Sequence, residues 1–398
     1  MTIPTTLDAD KPSYSLKQLM QYFLKLGTLG FGGPIALVGY MHRDLVEERQ
    51  WISEAEYQEG LTLAQVAPGP LAAQLSFYLG YVHYSILGSA LVGVAFVLPS
   101  FLMVVALGWA YTLFGGLSWM QAVFYGVGAA VIGIIAISAY KLTRKTVGTD
   151  WLLWGIYVVN AAATVITQSE RVELILGAGF LVWLLKSPPR NWFKGNRVNS
   201  ILGLSLAPFL ATVPTVTPGI LGQIFLFFAT AGSFVFGSGL AIIPFLYGGV
   251  VKDFQWLDAQ QFLDAVAVAM ITPGPVVITT GFIGFLVAGF PGACVAAIAM
   301  FIPCYLLTII PAPYFKKHGK NPGISAFVKG VTVAATGAIA GAVVVLGQQS
   351  LRDLPTSLIA LVTLVALGKF GKKLSEPIVV VIAAIIGLVL YPFMHPQA

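Results

Sequence analysis

Glycine and proline interrupt two apolar stretches of this chain, and each interruption occurs twice. Phe31-Gly32-Gly33-Pro34 precedes Pro68-Gly69-Pro70, and the pattern recurs as Phe236-Gly237-Ser238-Gly239 before Pro273-Gly274-Pro275. Proline blocks the helix before it, and glycine lets the chain turn and a ligand approach the backbone. The half-helix after each break begins with unpaired N–H groups and a positive dipole end, which attract an anion. These motifs predict a pocket for an oxyanion where the four breaks meet.

Side chains beside the breaks supply further candidates. Hydroxyl groups donate hydrogen bonds to oxyanion oxygens, and Lys25 lies two helical turns before Gly32 on the same face. The full set of substrate-binding candidates is Gly32, Gly33, Pro34, Pro68, Gly69, Pro70, Gln74, Gly237, Ser238, Gly239, Thr272, Pro273, Gly274, Pro275, Thr279 and Lys25. Three alternatives stay open: the breaks are packing kinks, the hydroxyls bond to their own helix, and the Lys25 ammonium reaches the cytoplasmic surface.

Two carboxylates occupy matching positions in the two copies of the pattern. Glu59 and Asp264 each precede a Pro-Gly-Pro motif by nine residues, which is about 13 Å along a helix. A charged group inside a membrane is by default a functional candidate, so this pair is predicted to couple or gate transport, with Arg43 as a cationic partner. The alternative is a solvated helix entry, because other acidic residues crowd the same end.

The composition places the chain in a lipid bilayer. Hydrophobic residues make up 57% of the 398 residues and charged residues only 10%, and the mean hydropathy is +0.85, whereas soluble domains carry about 25% charge. The net charge of +6 comes from short basic loops, so it indicates orientation rather than nucleic-acid binding. No cofactor, metal site or catalytic motif is expected, and the chain is not predicted to be an enzyme.

An internal duplication predicts the architecture. Residues 23–70 align without a gap onto 228–275 with twelve identities, and apolar runs predict six helices in each copy. We expect an all-α polytopic membrane protein with 13 transmembrane helices. Its predicted parts are an N-terminal repeat at 16–190, a linking span at 191–217 and a C-terminal repeat at 218–395, with the broken helices at the repeat interface.

Basic loops predict the orientation of these helices. Placing them inside puts the N-terminus in the cytoplasm, the 42–50 loop and the C-terminus in the periplasm, and the two repeats in opposite directions. This topology requires 200–216 to cross the membrane. If that segment lies in the interface instead, the repeats are parallel or the charge rule is violated.

The spacing of these motifs, seen twice, resembles the chromate ion transporter family over nearly the whole chain. Phe31-Gly32-Gly33-Pro34, Trp51 and Pro68-Gly69-Pro70 carry the resemblance in the first copy, and Trp256 and Thr272-Pro273-Gly274-Pro275 carry it in the second. The resemblance implies a bacterial inner-membrane protein that exports chromate or handles the isosteric sulfate. It also implies anion handling at Gly32, Gly33, Pro34, Pro68, Gly69, Pro70, Gln74, Pro273, Gly274 and Pro275.

The predicted mechanism is alternating access around a centrally bound tetrahedral dianion. The alternatives are an anion channel built on the same pocket and oxyanion uptake by cation symport. The expected partners are the oxyanion and the bilayer, and a homodimer is left open.

Overall fold

Every regular element in the described part of the chain is helical. The computed structural model describes residues 12–31, 33–114, 117–168, 171–187, 219–234, 242–313, 322–370, 374 and 376–394. The first half contains α1 (Leu16–Leu29), α2 (Gly33–His42), α3 (Glu54–Val66), α4 (Leu71–Phe114), α5 (Ser118–Thr146), α6 (Trp151–Thr167) and α7 (Val172–Lys186). The second half contains α8 (Ile220–Phe234), α9 (Ile243–Tyr247), α10 (Ala259–Ile271), α11 (Thr279–Ile309), α12 (Pro322–Ser350), α13 (Leu354–Phe370) and α14 (Glu376–Met394).

The helices confirm the all-α membrane class. Among the described residues, five helical segments are long and apolar enough to cross a bilayer, namely Leu71–Phe114, Ser118–Thr146, Val276–Ile309, Pro322–Ser350 and Glu376–Met394. Shorter apolar helices accompany them, including Trp151–Thr167 and Leu354–Phe370. The chain is therefore a polytopic membrane protein. The predicted linking span at 191–217 lies outside the described residues.

Irregular backbone features repeat at matching positions in the two halves. The π-helical turns Arg43–Glu48 and Gly248–Asp253 follow α2 and α9, and Gln50 and Gln255 both have left-handed backbones with φ of 51° and 52°. The helices α3 and α10 both begin with a capping box. Such coincidences in irregular structure confirm the two-repeat architecture.

The apolar runs 17–41 and 55–81 each count as one of the six helices predicted for the first copy, but each is divided into two helices that run in opposite directions. A Cβ on Gly60 in α3 would overlap the ring of Tyr78 in α4, although a continuous helix would hold these residues about 27 Å apart. In the second half, Phe227 of α8 stacks on Phe245, with ring centroids 5.2 Å apart. Helices α3 and α4 therefore run in opposite directions and form a hairpin, and so do α8 and α9, whose connecting residues 235–241 lie outside the described residues.

A second reversal follows within α4 and α11. The helical path is interrupted at Ser85, where φ is 56°, and at Ala288 and Gly289 in the other repeat. Each of these helices therefore consists of a short segment, 71–84 or 279–287, and a long segment, 86–114 or 290–309. A Cβ on Gly80 would lie 2.7 Å from the Gly88 carbonyl oxygen, so the two segments pack closely beyond the turn.

The open ends of the first two hairpins lie beside the N-terminal segment. Tyr14 stacks on Trp51 with ring centroids 4.8 Å apart, its hydroxyl bonds to His83 Nδ1 at 2.7 Å, and Tyr84 donates to its carbonyl oxygen. Residues 42–50 therefore lie on the same side as the N-terminal segment. The expectation that they lie on the opposite side is wrong, because it treated 17–41 as one crossing.

Helices of the two repeats pack directly against one another. Helix α5 of the first repeat packs on α13 and α14 of the second, and α12 of the second packs on α6 and α7 of the first. Glycine permits the contact in both cases, since a Cβ on Gly126 would overlap the Ala383 carbonyl and one on Gly330 would lie 2.5 Å from the Ala178 carbonyl oxygen. Small residues allow this close backbone approach in membrane helices.

Candidate functional site

The first break of one repeat contacts the second break of the other. The backbone N–H of Gly274 donates to the Gly30 carbonyl oxygen at 3.0 Å, and Gly274 has a φ of +97°. Ser100 in the long segment of α4 lies at the same point and donates to the Gly27 carbonyl at 3.4 Å. Two hairpin tips therefore meet inside the protein. The sequence predicts that all four breaks meet, and this contact joins two of them. Gly32, Gly237, Ser238 and Gly239 lie outside the described residues.

Gln74 holds the first Pro-Gly-Pro tip in shape. Its Nε2 donates to the Pro68 carbonyl oxygen at 2.6 Å, and a Cβ on Gly69, whose φ is +143°, would lie 2.6 Å from that nitrogen. The Gln74 Oε1 atom is buried and has no hydrogen-bond partner among the described residues. The Gln74 side chain therefore stabilises the turn at the Pro-Gly-Pro tip. The next helix starts immediately after Pro70.

The threonine hydroxyls at the second Pro-Gly-Pro donate to their own helices. Thr272 Oγ1 donates to the Val268 carbonyl and Thr279 Oγ1 to the Val276 carbonyl, both at 2.7 Å. These contacts match the alternative in which hydroxyls bond to the backbone. With the hydroxyl protons engaged, the donors left for an anion are backbone N–H groups at the half-helix starts. The prediction of hydroxyl donation stays untested.

The matched carboxylates have unlike surroundings. Asp264 is buried, with 3% of its surface exposed, and accepts hydrogen bonds from Tyr111 Oη at 2.8 Å and Gln260 Nε2 at 2.9 Å. Glu59 is half-buried, and its Oε1 finds no partner among the described residues. The solvated-entry alternative therefore does not describe Asp264, whose hydroxyl donor comes from the other repeat.

Lys25 and Arg43 line one cavity of about 240 Å³ between α1 and the α2 hairpin arm. Gly30, which accepts the hydrogen bond from Gly274, also lines it. Sequence analysis missed two further lining residues, Tyr22 and Arg49, because Arg49 resembles part of a solvated loop until the hairpin folds it back onto α1. Only the chain reversal reveals this grouping.

Glu376 is another residue near a break that the sequence does not reveal. It opens α14 in the second repeat, and its Oε2 would lie 3.9 Å from a Cβ placed on Gly33. Lys141 of α5 is near enough to interact with it electrostatically. At the sequence level, an acidic residue in a first helical turn is simply a favourable match to the helix dipole, so no signal points to the break.

Duplicated repeats whose interrupted helices meet within the fold define a class of membrane transport proteins. Comparison with known proteins agrees: the family model described as Chromate transporter matches residues 17–183 and again 222–388. The chain belongs to this chromate transporter family.

Curated relatives cover nearly the full chain. A "Probable chromate transport protein" of Synechococcus elongatus is 82% identical over 96% of this chain and 97% of its own length. A "Chromate transport protein" of Cupriavidus metallidurans is 67% identical over 96% of this chain and 95% of its own length. The "Chromate transport protein" of Pseudomonas aeruginosa is 31% identical over 97% of this chain and 95% of its own length. No solved structure matches the chain.

Proposed function

We propose that this protein exports chromate across the bacterial inner membrane by alternating access, with the anion bound where the hairpin tips meet. The observation that carries the proposal is the Gly274 to Gly30 hydrogen bond, which joins a tip of one repeat to a tip of the other. A site shared by two repeats opens to alternate sides when one repeat rocks against the other. The names of the relatives supply chromate as the substrate.

We further propose that the repeats have inverted topology. Tyr305, near the end of the long segment of α11, donates to the carbonyl of Ile86, at the start of the long segment of α4, at 3.0 Å. These segments are therefore antiparallel. Helices α5 and α14 are antiparallel too, because Gly126 meets Ala383 while Gly387 meets Ala122. The long segments of α4 and α11 are equivalent helices of the two repeats, and equivalent helices of an inverted duplication run in opposite directions.

This arrangement gives nine crossings and four re-entrant hairpins instead of 13 crossings. We propose four crossings in each repeat, with the repeats bounded at 16–190 and 218–395; the ninth is the predicted linking span at 191–217, which lies outside the described residues. The basic loops after α5 and α7 favour an N-terminus in the cytoplasm and a C-terminus in the periplasm.

The membrane potential supplies enough energy to export a dianion. Moving one charge through 100 mV is worth about 2.3 kcal/mol, so a dianion leaving a negative interior gains about 4.6 kcal/mol. That energy sustains more than a thousandfold gradient. Outward movement of chromate therefore needs no ATP.

A second candidate, oxyanion uptake with a cation, rests on Asp264. A buried carboxylate whose hydroxyl donor comes from the opposite repeat is placed to couple proton binding to repeat movement. Sulfate is the isosteric substrate for that direction. The third possibility is an anion channel at the hairpin tips, which differs from a transporter in the kinetics of anion flux.

Anion flux into everted membrane vesicles distinguishes export, cation-coupled uptake and a channel. We expect uptake of radiolabelled chromate that is saturable, accelerated by unlabelled chromate on the trans side and driven by an inside-positive potential. A flux without trans-acceleration identifies a channel. Sulfate movement that requires a proton gradient, together with no chromate flux, overturns the export proposal.

A further inference from the structure

The cavity beside the first hairpin is strongly basic. It is lined by Tyr22, Lys25, Leu26, Leu29, Gly30, Tyr40, Arg43, Asp44 and Arg49. The lining carries three cations and one carboxylate, and Glu48 outside the lining also pairs with Arg43. The excess positive charge therefore comes from Lys25 and Arg49. A volume of about 240 Å³ holds a tetrahedral dianion with several waters, since a water in the liquid takes about 30 Å³.

Two of the three cations are not neutralised by the protein. Among the described residues, no carboxylate lies within salt-bridge distance of Lys25 or Arg49, whereas Arg43 pairs with Asp44 at 2.7 Å and with Glu48 at 3.5 Å. Positive charge is thus left over at the cavity wall.

Aromatic rings fix the position of one free cation. The Arg49 guanidinium lies 5.4 Å from the Tyr22 ring centroid and 4.7 Å from that of Trp51, and such contacts restrain a cation over a ring face. The buried Tyr22 hydroxyl faces the Asp44 carboxylate of the same lining. A positioned cation therefore lines the hollow.

The described residues at the equivalent position of the second repeat have no basic side chains. At an offset of 205 positions, the residues corresponding to Tyr22, Lys25, Tyr40, Arg43, Asp44 and Arg49 are Phe227, Thr230, Phe245, Gly248, Gly249 and Phe254. The Phe227 ring lies 5.2 Å from Phe245 and 5.6 Å from Phe254, and it would overlap a Cβ placed on Gly249. Aromatic rings fill the space that is basic and hollow in the first repeat.

We infer that this cavity is a loading site for a divalent tetrahedral oxyanion, present in one repeat only. The inference rests on the proposed anion transport and adds the site of capture. The cavity lining extends from Arg49, which lies over the Trp51 ring beside the N-terminal segment, to Gly30, where the tips join. An anion held by Lys25 and Arg49 therefore lies next to the central site. The aromatic filling of the second repeat denies anions an equivalent site there.

Direct binding tests the loading site. Purified protein in phosphatidylcholine nanodiscs, which carry no net lipid charge, is titrated calorimetrically with sodium chromate and sodium sulfate. We expect Lys25→Gln combined with Arg49→Gln to weaken binding by about tenfold or more, because two charges near the anion are lost. The charge-matched control combines Lys145→Gln with Arg171→Gln, both exposed, and is expected to bind like the parent.

A conservative substitution at Arg49 distinguishes the effect of its charge on anion binding from the effect of its packing. Arg49→Lys keeps the cation and is expected to retain binding within about threefold of the parent, since a lysine also packs over aromatic rings. Equal binding by the parent and the Lys25/Arg49 double variant overturns the loading site, and so does an absence of anion binding by the parent. These experiments distinguish failure of the loading site from failure of the proposed chromate transport. Chromate flux with an unchanged KM in the double variant leaves transport standing without this site, whereas binding lost in the double variant without any flux in the parent leaves the site without the transport.

Discussion

Gly274 is the residue on which the meeting of the tips depends. Its φ of +97° costs an L-residue about 1–2 kcal/mol, and its Cβ position overlaps Ser100 Oγ. We expect Gly274→Ala to lower chromate transport at least tenfold and to reduce the melting temperature, because overpacking adds about 1–3 kcal/mol. Vesicle uptake and thermal unfolding measure both effects.

Gly148 provides the matched control for this substitution. It also has a positive φ, +61°, but a Cβ there would meet nothing within 4 Å. Gly148→Ala should therefore carry the backbone strain alone and keep parental transport. If Gly274→Ala behaves like Gly148→Ala, the tip contact is not part of the transport site.

Gln74 allows charge at the first Pro-Gly-Pro tip to be controlled by pH. Gln74→Glu replaces the donor to the Pro68 carbonyl with an acceptor, and its negative charge repels an anion. A carboxyl group gains a proton as the pH falls, so the added negative charge is smaller at low pH than at high pH. We expect transport to be lost at pH 8 and partly recovered at pH 6.

The neutral variant Gln74→Met separates the lost hydrogen bond from the added charge. It should show a partial loss of transport with the same pH profile as the parent, and a destabilisation of about 1–3 kcal/mol from the unpaired carbonyl. A pH-independent Gln74→Glu variant would show that charge at this tip is immaterial.

At the scale of elements, the hairpin formed by α3 and the short segment of α4 depends on Gly60. A Cβ there overlaps the Tyr78 ring, so Gly60→Val must push the two short helices apart. We expect about 1–3 kcal/mol of destabilisation and a loss of uptake, measured by thermal unfolding and vesicle assay. Gly39→Ala, where a Cβ meets nothing within 4 Å, is the control; equal stability of the two variants would contradict the hairpin packing.

The contact between Tyr111 and Asp264 joins α4 of the first repeat to α10 of the second. Tyr111→Phe removes the hydroxyl and leaves a buried carboxylate with Gln260 as its remaining described donor. We expect a loss of about 1–3 kcal/mol in unfolding free energy. If Asp264 couples a proton, the pH profile of transport also shifts, whereas a purely structural contact leaves that profile unchanged.

At the scale of the whole molecule, the sequence predicts what local chemistry controls. Hydropathy identifies the membrane class, repeated motifs reveal the duplication, and the Pro-Gly-Pro triplets mark where α3 and α10 end. The Gly274 to Gly30 contact agrees with the expectation that breaks from different repeats meet.

The direction of the chain after a break is beyond a single sequence. Residues 17–41 form a 25-residue apolar run, long enough to span a bilayer, and nothing in hydropathy distinguishes one span from two antiparallel helices of half that length. The contacts of Tyr14 with Trp51 and of Tyr22 with Arg49 show that this run folds back on itself. The same error hid Arg49, because its neighbour Tyr22 is adjacent only after the reversal.

The position of Glu47 gives a direct test of this topology. A single crossing by 17–41 puts Glu47 in the periplasm, whereas a hairpin returns it to the side of Tyr14 and Trp51, where the N-terminal segment lies. In a background with Cys294→Ala and Cys304→Ser, we expect a membrane-impermeant maleimide to label Glu47→Cys in everted vesicles but not in intact cells. Lys145→Cys should behave in the same way, and Arg171→Cys, at the opposite end of α6 and α7, should show the reverse. Labelling of Glu47→Cys from outside intact cells would require α1 and α2 to cross the membrane, which would separate the three cations of the loading site from the cytoplasmic anion they are proposed to capture.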